Sequence, residues 1–209
     1  MKRNIYALCT AICALFAVVS CSRSEDPRHF NIPQEAREII SDRLLEEMES
    51  NGMQINEGDN PPDIQGIFQT GSYKSIYTNV KGDMLGKIYL PYRYKFYEQN
   101  GIKIKTDYIA ESNGKFDIAT GEGTIISGSG NKFTVYMKVK GNNGGALYKE
   151  AKIFSGEITP EGIKDFQYGF LKIEKTGDIT GRVVPVGTIR IWISKDKLAV
   201  KKQEYPYGD

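Results

Sequence analysis

Hydrophobic and polar side chains alternate without interruption over Lys132–Lys140. Successive side chains of a β-strand point to opposite faces, so Phe133, Val135 and Met137 share one face and the lysines occupy the other. The preceding stretch 127–131 consists of serine, glycine and asparagine and is typical of a tight turn. A single hairpin cannot bury such an apolar face, so we expect neighbouring segments to supply further strands.

Period-two patterning extends over residues 64–201 and predicts about eight to ten consecutive strands. The predicted strands are Ile64–Gln69, Ser75–Val80, Lys87–Gln99, Ile102–Glu111, Lys115–Ile126, Lys132–Lys140, Ala146–Ile158, Gly162–Lys175, Gly181–Ser194 and Leu198–Lys201. Pro91 interrupts one of them and indicates an edge strand or a bulge. Asn100-Gly101 predicts a two-residue hairpin turn.

These short connections favour a mainly β fold, an antiparallel up-and-down meander. Closure of the meander into a barrel would remove its unpaired edges, and we expect that closure in residues 64–201. A two-sheet sandwich is the alternative, although it needs longer crossover connections than the pattern shows.

Before the strands, apolar residues recur at three- and four-residue spacing between Ala36 and Met48, which is the period of an amphipathic helix. Pro33 suits the first turn and Gly52 suits the position after the last, so one helix is predicted over 33–52. It either packs on the sheet or forms a lid over the open end of the barrel. Residues 53–63 have the composition of a linker, and residues 202–209 form a tail.

Residues 1–20 have the parts of an export signal, a basic start followed by an apolar run and small residues. The sequence over Val18–Cys21 resembles the lipobox of bacterial lipoproteins. The resemblance implies cleavage before Cys21, diacylglycerol on its sulfur, and a tether over 21–32. We therefore expect a lipid-anchored protein of the cell envelope, at the outer membrane and either periplasmic or surface-exposed. An ordinary secretory signal is the alternative.

The start of the first strand also carries a family likeness. Gly66-Ile67-Phe68 resembles the first-strand motif of lipocalin-type (calycin) domains, with Phe68 in the place of tryptophan. Arg190 corresponds to the basic residue that packs against that aromatic ring in the family. The resemblance implies a lipocalin-like barrel, and a barrel of about eight strands can enclose a small ligand.

The chain has 28 basic and 26 acidic residues, and the numbers become equal once the export signal is removed. Nucleic acid is therefore not expected as a partner. Residues 22–63 carry a net charge of −7 and residues 64–209 carry +7. This asymmetry has three interpretations. The acidic segment 22–63 and the basic segment 64–209 present two solvated surfaces, or the acidic segment packs on the basic one. Alternatively, the basic segment meets anionic ligands or surfaces.

Catalytic side chains are sparse in the body. His29 is the one histidine and lies in the tether, and all three cysteines precede residue 22. Serine–histidine, cysteine–histidine and zinc sites are therefore excluded there, and we expect no enzyme activity, metal or cofactor. Paired-carboxylate hydrolysis is the remaining possibility, although strand carboxylates usually face water. Its candidates are Asp107, Glu111, Asp117 and Glu122.

Aromatic residues concentrate on two adjacent predicted strands and either fill the barrel or line a small-molecule pocket. The candidate ligand-binding residues are Tyr92, Tyr94, Phe96, Tyr108, Phe133, Val135 and Met137. We predict a non-catalytic protein that binds a small apolar or amphipathic molecule. The alternative is a structural or protein- or glycan-interaction module with a filled barrel, in which exposed tyrosines or Trp192 stack on sugars.

Overall fold

The computed structural model describes residues 26–83, 85–112 and 115–206. The predicted export signal, Cys21 and the predicted turn at 113–114 lie outside the described residues. The helices are α1 (Gln34–Arg37) and α2 (Asp42–Ser50). The strands are β1 (Gly66–Gln69), β2 (Tyr73–Thr78), β3 (Ile88–Tyr89), β4 (Tyr92–Asn100), β5 (Lys103–Ser112), β6 (Lys115–Ser129), β7 (Lys132–Asn143), β8 (Ala146–Thr159), β9 (Gly162–Thr176), β10 (Ile189–Ser194) and β11 (Leu198–Lys202). Neither helix in the described ranges is long and apolar enough to cross a bilayer.

The eleven described strands form one sheet, and β4 to β10 are neighbours in the same order as in the chain. The predicted antiparallel meander is therefore confirmed. Strand β11 pairs with β1 and also with the first residues of β9, where Val200 lies opposite Gly162. Among the described strands, β1, β4 to β9 and β11 thus form a hydrogen-bonded ring of eight. Strands β10, β2 and β3 extend from the second half of β9, outside this ring.

Two predicted strands have different limits in the structure. The strand predicted over 87–99 is divided at Pro91, which has no N–H to donate, and β3 pairs only with β2 at the margin of the sheet. The strand predicted over 181–194 begins only at Ile189. The preceding residues are irregular because the Asp178 carboxylate accepts hydrogen bonds from the backbone N–H groups of Arg182 and Val183, at 2.7 and 3.2 Å.

The single helix predicted over 33–52 is wrong, because the structure contains two helices with a break between them. Ser41 is extended (φ −77°, ψ 152°) and caps α2, since its Oγ accepts a hydrogen bond from the Leu44 N–H at 3.3 Å. A capping residue of this conformation cannot also continue α1. The apolar stripe nevertheless faces one direction across both helices.

That stripe packs on the outer face of the sheet. Phe30, Leu45 and Met48 are fully buried and form a second core with Tyr136 and Ile153 on β7 and β8. Of the two roles that the sequence left open, packing on the sheet is the one observed.

Residues 53–63 are attached to the sheet and do not form a free linker. The Asn56 N–H donates to Thr134 Oγ1 at 2.7 Å, and its side-chain amide donates to the Phe133 carbonyl at 2.8 Å. Ser127 Oγ donates to the Asn56 carbonyl at 2.6 Å. These bonds hold the helical arm beside the β6–β7 turn.

The main core lies on the inner face and is filled by aromatic rings at the end that carries the β6–β7 and β8–β9 turns. Phe96, Phe133, Phe154 and Phe166 are at most 1% exposed there. Phe68 packs against Phe96 with ring centres 6.1 Å apart. We call this region the filled end.

Candidate functional site

A pocket of about 450 Å³ opens on the inner face, at the end of the sheet opposite the filled end. Tyr92, Tyr168 and Trp192 contribute to its aromatic floor. Its mouth lies between residues 87–90, around β3, and residues 182–184, in the β9–β10 connection. Its volume is that of typical small-molecule sites, roughly 300–1,000 Å³. We call it the interior pocket.

Three charged side chains form a buried ion triplet in this pocket. Lys172 Nζ lies 2.5 Å from Glu150 Oε1, and Lys152 Nζ lies 3.1 Å from Glu150 Oε2. Each residue is only 4% exposed. The second contact is not aligned as a hydrogen bond, but attraction between opposite charges does not require that alignment. One carboxylate is therefore held between two ammonium groups.

A chain of hydrogen bonds connects the triplet to Asp117. The Lys152 ammonium only donates, so the Tyr108 hydroxyl accepts from it at 2.7 Å. The Asp117 carboxylate accepts from the hydroxyls of Tyr148 at 2.5 Å and Tyr92 at 2.9 Å. Because Tyr148 has already given its proton, Tyr108 donates to Tyr148 at 2.8 Å. Every donor direction is thus fixed when Asp117 is ionised.

Burial and neighbouring charges shift the pKa values of this network. Burial raises the pKa of Asp117, and the charge of Lys152 and the hydrogen bond from Tyr148 offset this only in part. Burial also acts to raise the pKa of Glu150, but the two ammonium groups outweigh it and the pKa of Glu150 is lowered. Burial lowers the pKa of Lys172 against the attraction of Glu150. Asp117 is therefore the carboxyl that ionises less readily.

Basic side chains surround the mouth. Arg190 Nη2 lies 2.6 Å from Asp83 Oδ2 and is therefore paired. The Lys87 ammonium lies 5.3 Å from the centre of the Tyr89 ring. Within the described residues, neither Lys87 nor Arg182 has an ion-pair partner.

The wall next to Lys87 and Arg190 is a stacked pair of aromatic rings. Tyr89 and Trp192 lie with ring centres 4.0 Å apart and planes at 19°. The Trp192 indole N–H and the Tyr89 hydroxyl are buried and have no hydrogen-bond partner in the described part of the chain. The pocket therefore combines flat apolar surface with unsatisfied polar groups.

The predicted ligand-binding residues are divided between pocket and core. Tyr92 lines the interior pocket, and Tyr108 belongs to the hydrogen-bond chain behind it. The other five are buried in the main core and do not line the interior pocket. They are Tyr94, Phe96, Phe133, Val135 and Met137.

The residues of the lipocalin-like motif have different partners from those that the resemblance implies. Phe68, which follows Gly66 on β1, packs against Phe96. Arg190 on β10 pairs with Asp83 and lies 5.9 Å from the centre of the Tyr89 ring. Since β10 is outside the ring of eight strands that contains β1, the two residues lie in different parts of the sheet.

Sequence reasoning missed the ion triplet, although alternation along the strands contains the signal. Glu150 and Lys152 lie four and two residues before the buried Phe154 on β8 and therefore share its face. Lys172 lies two residues after the buried Phe170 on β9 and shares its face. Each of the three residues therefore falls on the inner face once the apolar face of its strand is assigned.

Of the four carboxylates considered for catalysis, Asp117 is in the interior pocket. Asp107 does not line it, and the side chains of Glu111 and Glu122 are outside the described set. In the described part of the chain, no three or more histidine, cysteine, aspartate or glutamate side chains are grouped to hold a metal ion.

Comparison with protein-family models, curated proteins and solved structures finds no match for this chain.

Proposed function

We propose that this chain is a non-catalytic binding protein that holds a small amphipathic molecule in the interior pocket. The observation that carries the proposal is the pocket itself, about 450 Å³ of space on the inner face of a sheet whose other end is filled. Its aromatic walls suit an apolar surface, and its few polar groups suit an oriented ligand.

A lipocalin-like barrel is the architecture that we propose for the ring of eight strands. The pairing of β11 with both β1 and β9 supports it, as does the Gly66-Ile67-Phe68 motif at the start of the ring. The departures are the three strands outside the ring and the partners of Arg190.

A binding role is favoured over catalysis by the state of the two carboxylates. Glu150 is neutralised by two ammonium groups, and both oxygens of Asp117 accept hydrogen bonds from tyrosines. A general acid or base must reach the proton that it transfers, and both carboxylates are already occupied by these ammonium and hydroxyl groups.

Native mass spectrometry of the mature protein from its own source tests the proposal. We expect a co-purifying small molecule that is lost on unfolding. Ala110→Phe, which fills the pocket, should abolish it, whereas Lys164→Phe on exposed surface should not. Protein that carries no small molecule in its native source would contradict the proposal.

Lipid anchoring at the cell envelope is the second part of the proposal, and the lipobox-like sequence Val18–Cys21 supports it. We expect the mature protein to begin at an acylated Cys21 and to fractionate with the outer membrane. Cys21→Ser should retain residues 1–20 and lose the lipid mass. An intact, unmodified leader on the wild-type protein would contradict this part.

The alternative function is an interaction module, and one observation favours it. Exposed apolar side chains lie on β3 and on the connections around the mouth, and such patches often mark partner surfaces. They are Leu85, Ile88, Leu90, Ile179 and Val186, between 42% and 96% exposed. If a protein or glycan partner is the true ligand, Leu85→Ser with Ile179→Ser should abolish its capture and Ala110→Phe should leave it unchanged.

A further inference from the structure

We infer that the molecule in the interior pocket is an amphipathic organic anion. Its acidic group would lie at the mouth between Lys87 and Arg182, and its apolar body would lie against Trp192. This inference rests on the proposed function, because it requires that the pocket binds a small molecule.

The charges around the interior pocket leave an excess of positive charge at its mouth. Inside the pocket, the two carboxylates and the two ammonium groups of the hydrogen-bonded network cancel one another. At the mouth, Asp83 cancels Arg190. Lys87 and Arg182 then leave two positive charges that no carboxylate in the described ranges neutralises. An anion is the ligand that completes this arrangement.

The acidic group of the ligand would lie at the mouth and not deeper in the pocket. Deeper in the pocket it would compete with Glu150 for Lys152 and Lys172, and it would be fully desolvated, which is costly. At the mouth it remains partly hydrated and meets exposed cations from the two segments that border the pocket. The guanidinium of Arg182 can donate two parallel hydrogen bonds to a carboxylate, phosphate or sulfonate.

The surface next to Lys87 is apolar and aromatic. Tyr89 is stacked on Trp192, and Phe170 and Val183 complete an apolar wall. Trp192 is only 6% exposed and its indole N–H lacks an acceptor among the described residues, so a ligand oxygen at this depth would satisfy it. A small inorganic anion would leave this wall uncovered, and a neutral apolar molecule would leave both cations unpaired.

Two fluorescent probes separate these possibilities in the full mature chain. 8-Anilinonaphthalene-1-sulfonate and N-phenyl-1-naphthylamine have the same rings and differ by the sulfonate. The chain contains one tryptophan, so energy transfer from Trp192 reports probes close to the pocket. We expect the sulfonate to bind about ten-fold more tightly at low salt, and this preference to shrink as salt screens the charges.

Charge-removing variants then locate the anion. The double variant Lys87→Gln, Arg182→Gln should lower the affinity for the sulfonate probe by roughly three- to twenty-fold, as expected for two partly hydrated ion pairs. Its affinity for the neutral probe should be unchanged. Lys164→Gln with Lys201→Gln removes the same charge from exposed positions away from the pocket and should change neither.

The outcomes distinguish the inference from the proposed function. Equal affinities for the two probes, both abolished by Ala110→Phe, would keep the pocket and overturn the anion. Energy transfer that Ala110→Phe leaves intact for both probes would overturn the proposed function. Inorganic phosphate that displaces the sulfonate probe at equal concentration would overturn the requirement for an apolar body. Val184→Phe, on a half-exposed wall of the pocket, replaces Ala110→Phe if that variant does not fold.

Discussion

Glu150 and Lys172 lie directly opposite each other on β8 and β9, and their side chains form an ion pair of 2.5 Å inside the sheet. Lys152 approaches the same carboxylate from its other side. Taking these charges out of water is costly, so each is tolerated only because the others are present. The pocket therefore depends on charge pairing as well as on apolar packing.

Removing the central carboxylate should destabilise the protein strongly. Glu150→Gln leaves two buried ammonium groups with Asp117 as their one remaining counter-charge in the described network, and we expect the free energy of unfolding to fall by about 3–5 kcal/mol in urea titrations. Glu174→Gln is the matched control, because Glu174 pairs with Lys149 on the same two strands but at about half exposure. Its loss should stay below about 1 kcal/mol.

The same experiment has a second arm, in which apolar side chains of similar volume replace the whole triplet. The triple variant Glu150→Leu, Lys152→Met and Lys172→Met should restore wild-type stability or exceed it by about 1–4 kcal/mol, because the three charges of the triplet are removed together and Asp117 keeps its hydrogen bonds from Tyr92 and Tyr148. A triple variant less stable than Glu150→Gln would show that the ions stabilise the fold by more than their mutual pairing.

The two aspartates Asp117 and Asp178 should affect the pH dependence of stability with opposite signs. Burial raises the pKa of Asp117 above its usual 3.8, so the folded state binds this proton more tightly than the unfolded state. The contribution of Asp117 is therefore present below pH 3.8 and is lost as pH rises through the raised pKa. The unfolding free energy of wild type minus that of Asp117→Asn should fall over this interval.

Asp178 supplies the contrasting measurement. Desolvation acts to raise its pKa, but the hydrogen bonds from Lys175 and from the Arg182 and Val183 amides outweigh it, and the pKa is lowered. Its contribution is present above pH 3.8 and is lost as pH falls through the lowered pKa. Wild type minus Asp178→Asn should therefore rise with pH, and equal signs for the two aspartates would contradict this assignment.

The helical arm should contribute stability without controlling the pocket. Met48 is fully buried against the outer face, and Met48→Ala should lower the free energy of unfolding by about 2–5 kcal/mol because it leaves a cavity. Arg43→Ala, on the exposed face of α2, should change it by less than about 0.5 kcal/mol. Probe affinity should be the same in both variants, and a change specific to Met48→Ala would indicate that the arm acts as a lid.

Gly162 should be required for the pairing of β9 with β11. Its φ is +149°, and a Cβ there would lie 2.1 Å from the Ala199 carbonyl oxygen. Gly162→Ala should therefore speed amide hydrogen exchange along β11. Gly145→Ala is the control, since Gly145 also has a positive φ of +96° but open space around it. Similar exchange rates for β11 in the two variants would contradict the steric argument.

The strands were largely predictable from the sequence, because alternating apolar and polar residues directly indicate the buried and exposed faces of a strand. The run around Phe133 and Val135 identified β7, and Pro91 marked the break before β4. The break between the helices also has a signal in the sequence, since Ser41 followed by Asp42 is an N-terminal capping pattern, but the prediction of one helix rested on the apolar stripe, Pro33 and Gly52.

The pairing partners of the strands and the buried charges were harder to predict from the sequence. Alternation assigns faces without choosing neighbours, so it did not show that β10 and β11 share one side of β9. The ion triplet was missed for a different reason. Glu150, Lys152 and Lys172 each resemble a solvent-facing strand residue when considered singly, and only their mutual neutralisation permits burial.

The position of β11 has a consequence for biosynthesis. Because the ring is completed by Val200 beside Gln69 and Gly162, a nascent chain that stops before this strand leaves both partners with free backbone donors and acceptors. Such a precursor would expose these groups to pairing with other molecules until the strand is in place, so completing the ring also protects the chain from aggregation.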